Sequence, residues 1–137
     1  MSTQNENQNI QTILGKNMFF YQNKTIKVKE GNIDEEELKE LAENNQDGVI
    51  KNEQYTIIIF TSAFPEWVGW FNQDIQNINI SALAKFMNVA RSTIYKWASG
   101  EHFPLGPDMF KLASVISKKR GEDNLKILSE MYNIFNH

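Results

Sequence analysis

The chain has 137 residues, 41% of them hydrophobic and 12% aromatic, which is ample for a packed core, and its formal net charge is −3. It holds no cysteine and only two histidines, His102 and His137, which excludes disulfides and thiolate metal sites and leaves little imidazole for nucleophilic or metal chemistry. No apolar run approaches the ~18 residues of a membrane span, and the opening MSTQNENQNIQTILG has no basic flank before an apolar core, so a cytoplasmic protein with no membrane partner is expected.

Residues 1–15 are rich in Asn, Gln and Thr and offer little apolar surface to offset the entropy of ordering, so they read as a mobile tail. From Met18 the run MFFYQNKTIKVKEG has two β-prone stretches, Met18–Tyr21 and Thr25–Lys29, around a Gln-Asn pair, which predicts a hairpin. In IDEEELKELAENNQDG, Asp34 is placed to cap a helix with Glu37 reaching back to it, and Ile33 and Leu38 to staple across the cap. Glu35, Glu36 and Glu37 sit where the helix dipole favours negative charge, which accounts for the acidic cluster without a metal. A turn at Asp47-Gly48 then leads to strands at 49–51 and 55–61. The order β-β-α-β-β over 16–61 predicts a small α+β domain.

Beyond Thr61 the pattern becomes helical. Ser62 is a candidate cap and Pro65 a helix opener, with Trp67, Trp70, Phe71 and Ile75 on one apolar face. Asn79 or Ser81 can cap the next helix, ISALAKFM. A second short helix follows, from about Arg91 to Ala98, and Gly100 stops it. Two helices that cross steeply over a short turn need a small residue at the close approach, here Ala84. They also need a turn residue that accepts positive φ, here Asn88. Val89, Ile94 and Trp97 complete the packing set. Later apolar positions, Met109, Leu112, Ala113, Ile116, Leu125, Leu128, Met131, Tyr132 and Phe135, recur at helical spacing and are expected in the core.

Charge is unevenly distributed along the chain. Residues 1–79 carry six Lys/Arg against twelve Asp/Glu, residues 80–121 seven against two, and residues 122–137 one against three. A basic block of net +5 thus lies within an acidic chain, a distribution that fits a phosphate-facing surface and equally an ordinary solvated face. With Ile94 and Trp97 turned inward, a 100° step per residue directs Ser92, Lys96 and Ser99 outward, with Thr93 and Tyr95 on the shoulders. Arg91 opens this helix, the position from which such helices reach base edges, and it is the candidate for a guanine contact. Ser92 and Lys96 are candidates for base or phosphate, and Thr93 and Tyr95 for phosphate or a thymine methyl. The N-terminus of the preceding helix, with Ser81, is a candidate phosphate clamp, and Lys85 a further contact. The run Lys118-Lys119-Arg120 suits the C-terminal end of its helix by dipole complementarity, and His102 reads as a loop residue.

The stretch LAKFMNVARSTIYKWASG resembles the helix-turn-helix of the Cro/CI-like, xenobiotic-response-element type family of phage repressors. The likeness rests on Leu83-Ala84, Met87, Val89, Ile94 and Trp97, on the Ser99-Gly100 stop, and on Pro104 followed by PDMFKLASVI. It covers about residues 62–135, departs from the family pattern at Asn88 where glycine is usual, and is narrower still to phage CII-type regulators with an IYKW-like recognition helix. It implies a five-helix DNA-binding domain over 62–137 behind the α+β domain: an α+β unit followed by an all-α helix-turn-helix bundle. The function implied is a transcriptional regulator that binds double-stranded DNA as a homodimer, without a cofactor. The rival expectation is a protein-interaction factor, an antitoxin or phage anti-defence protein, whose N-terminal domain binds a protein partner and whose helix-turn-helix autoregulates. An enzyme is not expected, because no nucleophile, base and phosphate-binding glycine loop converge.

Overall fold

A computed structural model describes residues 9–13 and 17–136. The chain is a mixed α+β protein in which an antiparallel five-stranded sheet precedes most of the helices, and it divides into two compact units, Met1–Ala63 and Phe64–His137.

The first unit contains β1 (Gln11–Thr12), β2 (Met18–Tyr21), β3 (Lys24–Gly31), α1 (Glu35–Asn44), β4 (Gly48–Lys51) and β5 (Tyr55–Thr61), with strand order β1-β2-β3-β5-β4. Gln22 and Asn23 both take positive φ, 50° and 71°, so the β2–β3 connection has the backbone of a type I′ turn, whose twist matches that of the paired strands. Near the end of β3 the register with β5 shifts between Val28 and Glu30, and Gly31 follows at φ +84°. A Cβ there would lie 2.0 Å from the Gln54 carbonyl oxygen, so only glycine fits.

Alternation along β3 and β5 turns Ile26, Val28, Tyr55, Ile57 and Ile59 to one face, where Leu38 and Ala42 of α1 cover them. The Asp34 carboxylate caps α1, accepting the Glu37 N–H at 2.9 Å. Glu37 does not reach back to the cap as expected. Its carboxylate accepts the Tyr55 hydroxyl at 2.8 Å, a tertiary partner that replaces the local one. At the other end of the helix, Lys24 from β3 donates to the Ala42 and Asn45 carbonyls at 2.7 and 2.8 Å, supplying the cation that the last turn lacks.

The expectation of a mobile tail over 1–15 fails where residues are described; residues 1–8, 14 and 15 lie outside the described set. Gln11 and Thr12 pair with Phe20 and Phe19, the Ile13 N–H donates to the Met18 carbonyl, and Ile13 is buried at 1% exposure. A single isoleucine and an open strand edge suffice to dock a polar segment.

The second unit contains α2 (Pro65–Ile75), α3 (Ile80–Met87), α4 (Arg91–Ser99), α5 (Pro107–Arg120) and α6 (Asn124–Phe135). Pro65 opens α2 at its first turn, but the cap position does not fall to Ser62. Phe64 occupies the cap position without a side-chain bond, and the Ser62 N–H is directed to the Asn23 carbonyl. Trp67, Phe71 and Ile75 are fully buried, the Trp67 and Phe71 rings stack at 4.9 Å, and the Trp67 indole N–H donates to the Trp97 carbonyl at 2.9 Å. The Asn72 amide bonds the Ala98 carbonyl at 2.8 Å, so two side chains of α2 take up carbonyls in the last turn of α4.

Arg120 ties α5 to α2 and α6. Its guanidinium donates to Asp74 at 2.8 and 2.5 Å and to Glu130 at 2.9 and 3.0 Å, and lies 5.7 Å from the Trp70 ring centroid. Hydrogen bonding to Asp74 holds the guanidinium firmly in its charged form, above its ordinary value. Burial works to raise Glu130, but the Trp70 indole and Arg120 outweigh it and keep the carboxyl below its usual range. Lys119 donates to the Asp74 carbonyl, so this part of the basic run is structural.

Two residues expected in the core are not there. Leu125 is 72% and Tyr132 64% exposed, while Ile127 and Met131 are the residues of α6 that are fully buried, at 0%.

Candidate nucleic-acid interface

α3 and α4 are joined by residues 88–90, and the geometry of the join follows from local chemistry. Asn79 caps α3, its side chain accepting the Ala82 N–H at 2.9 Å. Asn88 terminates it at φ 60°, ψ 46°, the left-handed conformation anticipated from its type, and the Val89 N–H reaches back to the Ala84 carbonyl at 3.0 Å. This six-to-one bond with a left-handed residue before it is the Schellman stop, made here by asparagine instead of glycine. Ala90 then precedes α4 in an extended conformation.

Packing fixes the rotation of both helices. Leu83, Ala84 and Met87 of α3 and Ile94, Trp97 and Ala98 of α4 are buried, each at 4% exposure or less. What remains outward on α4 is Arg91, Ser92 and Lys96, all exposed, with Thr93 and Tyr95 half-buried on the flanks; Ser81 and Lys85 are exposed on α3. Ser92 and Lys96 are one turn apart, as are Arg91 and Tyr95, so the four side chains form two adjacent ridges along about 7.5 Å of helix axis. Among the described residues no acidic group is in ion-pair contact with Lys85, Arg91 or Lys96.

Ser99 is the exception in the expected set. Helical rotation alone directs it outward, yet it is fully buried. Past Gly100, in the left-handed region at φ 83°, the chain doubles back, and the Glu101 and His102 N–H groups both bond the Lys96 carbonyl. Beneath this returning loop the Ser99 hydroxyl bonds the Lys96 carbonyl and the Glu101 carboxylate at 3.2 and 3.1 Å, which withdraws it from any partner in solution.

The N-termini of the two helices differ from one another. Asn79 already occupies one donor at the N-terminus of α3, the anticipated phosphate clamp, whereas Ala90 offers no side-chain cap to α4. First-turn N–H groups of a helix without such a cap are the ones that seek an outside acceptor. Sequence reasoning did not single out this terminus, although an Ala before Arg91-Ser92 is a readable sign of it. It also passed over Phe86, which stands 55% exposed beside Lys85.

The first unit has a polar hollow of about 600 Å³ lined by Lys24, residues 43–47 and Thr61. Its charged groups are already committed. Lys24 caps α1, and Asp47 accepts the Thr61 N–H and hydroxyl at 2.9 and 2.8 Å; these bonds, the backbone one foremost, lower its carboxyl below the usual range. The hollow therefore presents no free chemistry comparable to the outer face of α4.

No protein-family model, curated protein or solved structure matches this chain.

Proposed function

We propose that α3, the turn at Asn88 and α4 are a helix-turn-helix, and that the chain is a sequence-specific DNA-binding transcriptional regulator of phage or mobile-element type with α4 in the major groove. The observation that carries this reading is the division of one short helix into two functions. Ile94, Trp97 and Ala98 are buried, while Arg91, Ser92 and Lys96 are exposed and held by no acidic neighbour among the described residues. A rigid helix that presents uncompensated cations and hydroxyls at its N-terminal end has the form used to read base edges. Arg91 is assigned the guanine-type contact, Ser92 and Lys96 base or phosphate, and Thr93, Tyr95, Ser81 and Lys85 the flanking backbone. Ser99 has no part in this assignment.

The uncapped first turn of α4 and the basic balance of residues 80–121 support the same surface. A protein with pI near 5.4 gains nothing from its overall charge in approaching DNA, so the affinity is local to this face. Selection of binding sites from a random duplex pool tests the proposal. It is expected to enrich a short motif, repeated with two-fold symmetry at about one helical turn, or ~34–36 Å. Recovery of no enriched sequence at low salt would overturn it.

A further inference from the structure

In the second unit Leu105, Phe110, Leu125 and Tyr132 stand 77%, 64%, 72% and 64% exposed. The last three, with Met109, Leu128 and Phe135, line an apolar groove of about 470 Å³ between α5 and α6, and no charged side chain among the described residues lines it. Helical spacing alone assigns Leu125 and Tyr132 to the core, but Ile127 and Met131 close the bundle without them. A contiguous apolar surface that the fold leaves uncovered marks a contact site.

Three features select the occupant. The polar residues of the lining, Ser129 and Asn136, carry no charge, so a basic or acidic peptide finds no counter-charge there. Two copies of a chain of net charge −3, by contrast, can meet on this face without opposing like charges. The area is also of the right order. Buried aromatic side chains cover ~150–250 Å² each. At their observed exposure Phe110 and Tyr132 thus present roughly 100–160 Å² apiece, and with Leu125 the face offers roughly 300–450 Å² towards the ~800 Å² per partner of a standard interface. Finally, the face has both projections and a groove, so a two-fold axis can set the side chains of each copy into the groove of the other, the self-complementarity of an isologous contact.

We propose that this α5–α6 face is the two-fold interface between two copies of the chain. The choice of a second copy rests in part on the DNA-binding reading, because a short recognition helix acquires specificity by pairing across a symmetric site.

The test is the mass of the full chain in solution without DNA, by sedimentation equilibrium, for the wild type and for Leu125→Asp with Tyr132→Asp. The wild type is expected at twice 15.9 kDa. The double variant should have its dissociation constant raised about a hundred-fold or more, through charges placed in an apolar contact. Leu125→Ala with Tyr132→Ala should weaken association by about tenfold in the same direction, and its melting as a monomer should match that of the wild type, because neither side chain serves the core. The inference is overturned if the wild type stays monomeric at high micromolar concentration, or if a dimer persists in both double variants. It is equally overturned if the dimer is broken only by Val49→Asp, in edge strand β4 of the first unit. A stable dimer without DNA affinity would refute the DNA-binding reading and leave the interface standing; a monomer that binds DNA would do the reverse.

Discussion

Replacing Arg120 with methionine removes the guanidinium from the junction of α2, α5 and α6 but keeps a stem of similar length over Trp70. Asp74, whose side chain is 11% exposed, then loses both of its charged hydrogen bonds. Stranding a fully buried carboxylate costs about 3–5 kcal/mol. Arg120 itself is 23% exposed and Glu130 31%, so water recovers part of that, and we take about 2–3 kcal/mol as the net loss. For a domain of this size each kcal/mol moves Tm by roughly 4–8 °C, which gives a fall of roughly 10–20 °C. All three tryptophans, Trp67, Trp70 and Trp97, lie in the second unit, so intrinsic fluorescence reports its unfolding without interference from the sheet. Combined with Asp74→Asn in a double-mutant cycle, the pair should show coupling of about 1–3 kcal/mol. A shift of only a degree or two, with no coupling, would refute the reasoning and return Arg120 to the solvated surface.

Asn88→Gly should stabilise the second unit by about 0.5–1 kcal/mol and Asn88→Ala destabilise it by about 1 kcal/mol, measured by urea unfolding, because the position is fixed in the left-handed region. Tyr21 is pushed up by burial and then by Glu43, and Tyr55 is pushed up by its bond to Glu37 and then by burial. The unfolded chain therefore gives up these protons first. Stability of the first unit is complete below the ordinary tyrosine value of 10.0 and falls as pH rises through the higher folded values, which tyrosinate absorbance against far-ultraviolet dichroism would follow. The lowered Glu130 works in the opposite window: its contribution to the second unit is complete above the ordinary value of 4.5 and is lost as acid carries pH through the lower folded value, visible as a drop in Tm by tryptophan fluorescence.

How far the sequence could be read depended on whether the deciding partner was local. Asp34, Asn79 and Asn88 act on groups within a few residues, and each performs the role its type and spacing predict. Glu37 and Ser99 have equally plausible local roles and depart from them because a distant tyrosine, in one case, and a returning loop, in the other, intervene. Periodicity marked Leu125 and Tyr132 as apolar but could not say which apolar stripe of α6 is buried. Ile127, passed over beside them, takes the buried place. Likewise, composition alone could not show that Ile13 docks its polar neighbours onto the sheet.

The most direct test of the central claim is the salt dependence of binding to a selected duplex, compared between the wild type and Arg91→Ala with Lys96→Ala. Each phosphate contact contributes ~0.9 to the slope of log affinity against log salt. The double variant should therefore lose about tenfold to a hundredfold in affinity, with a slope shallower by about 1–2, while its tryptophan-monitored melting stays that of the wild type. Unchanged affinity and slope in a folded double variant would contradict the assignment of the outer face of α4 to DNA.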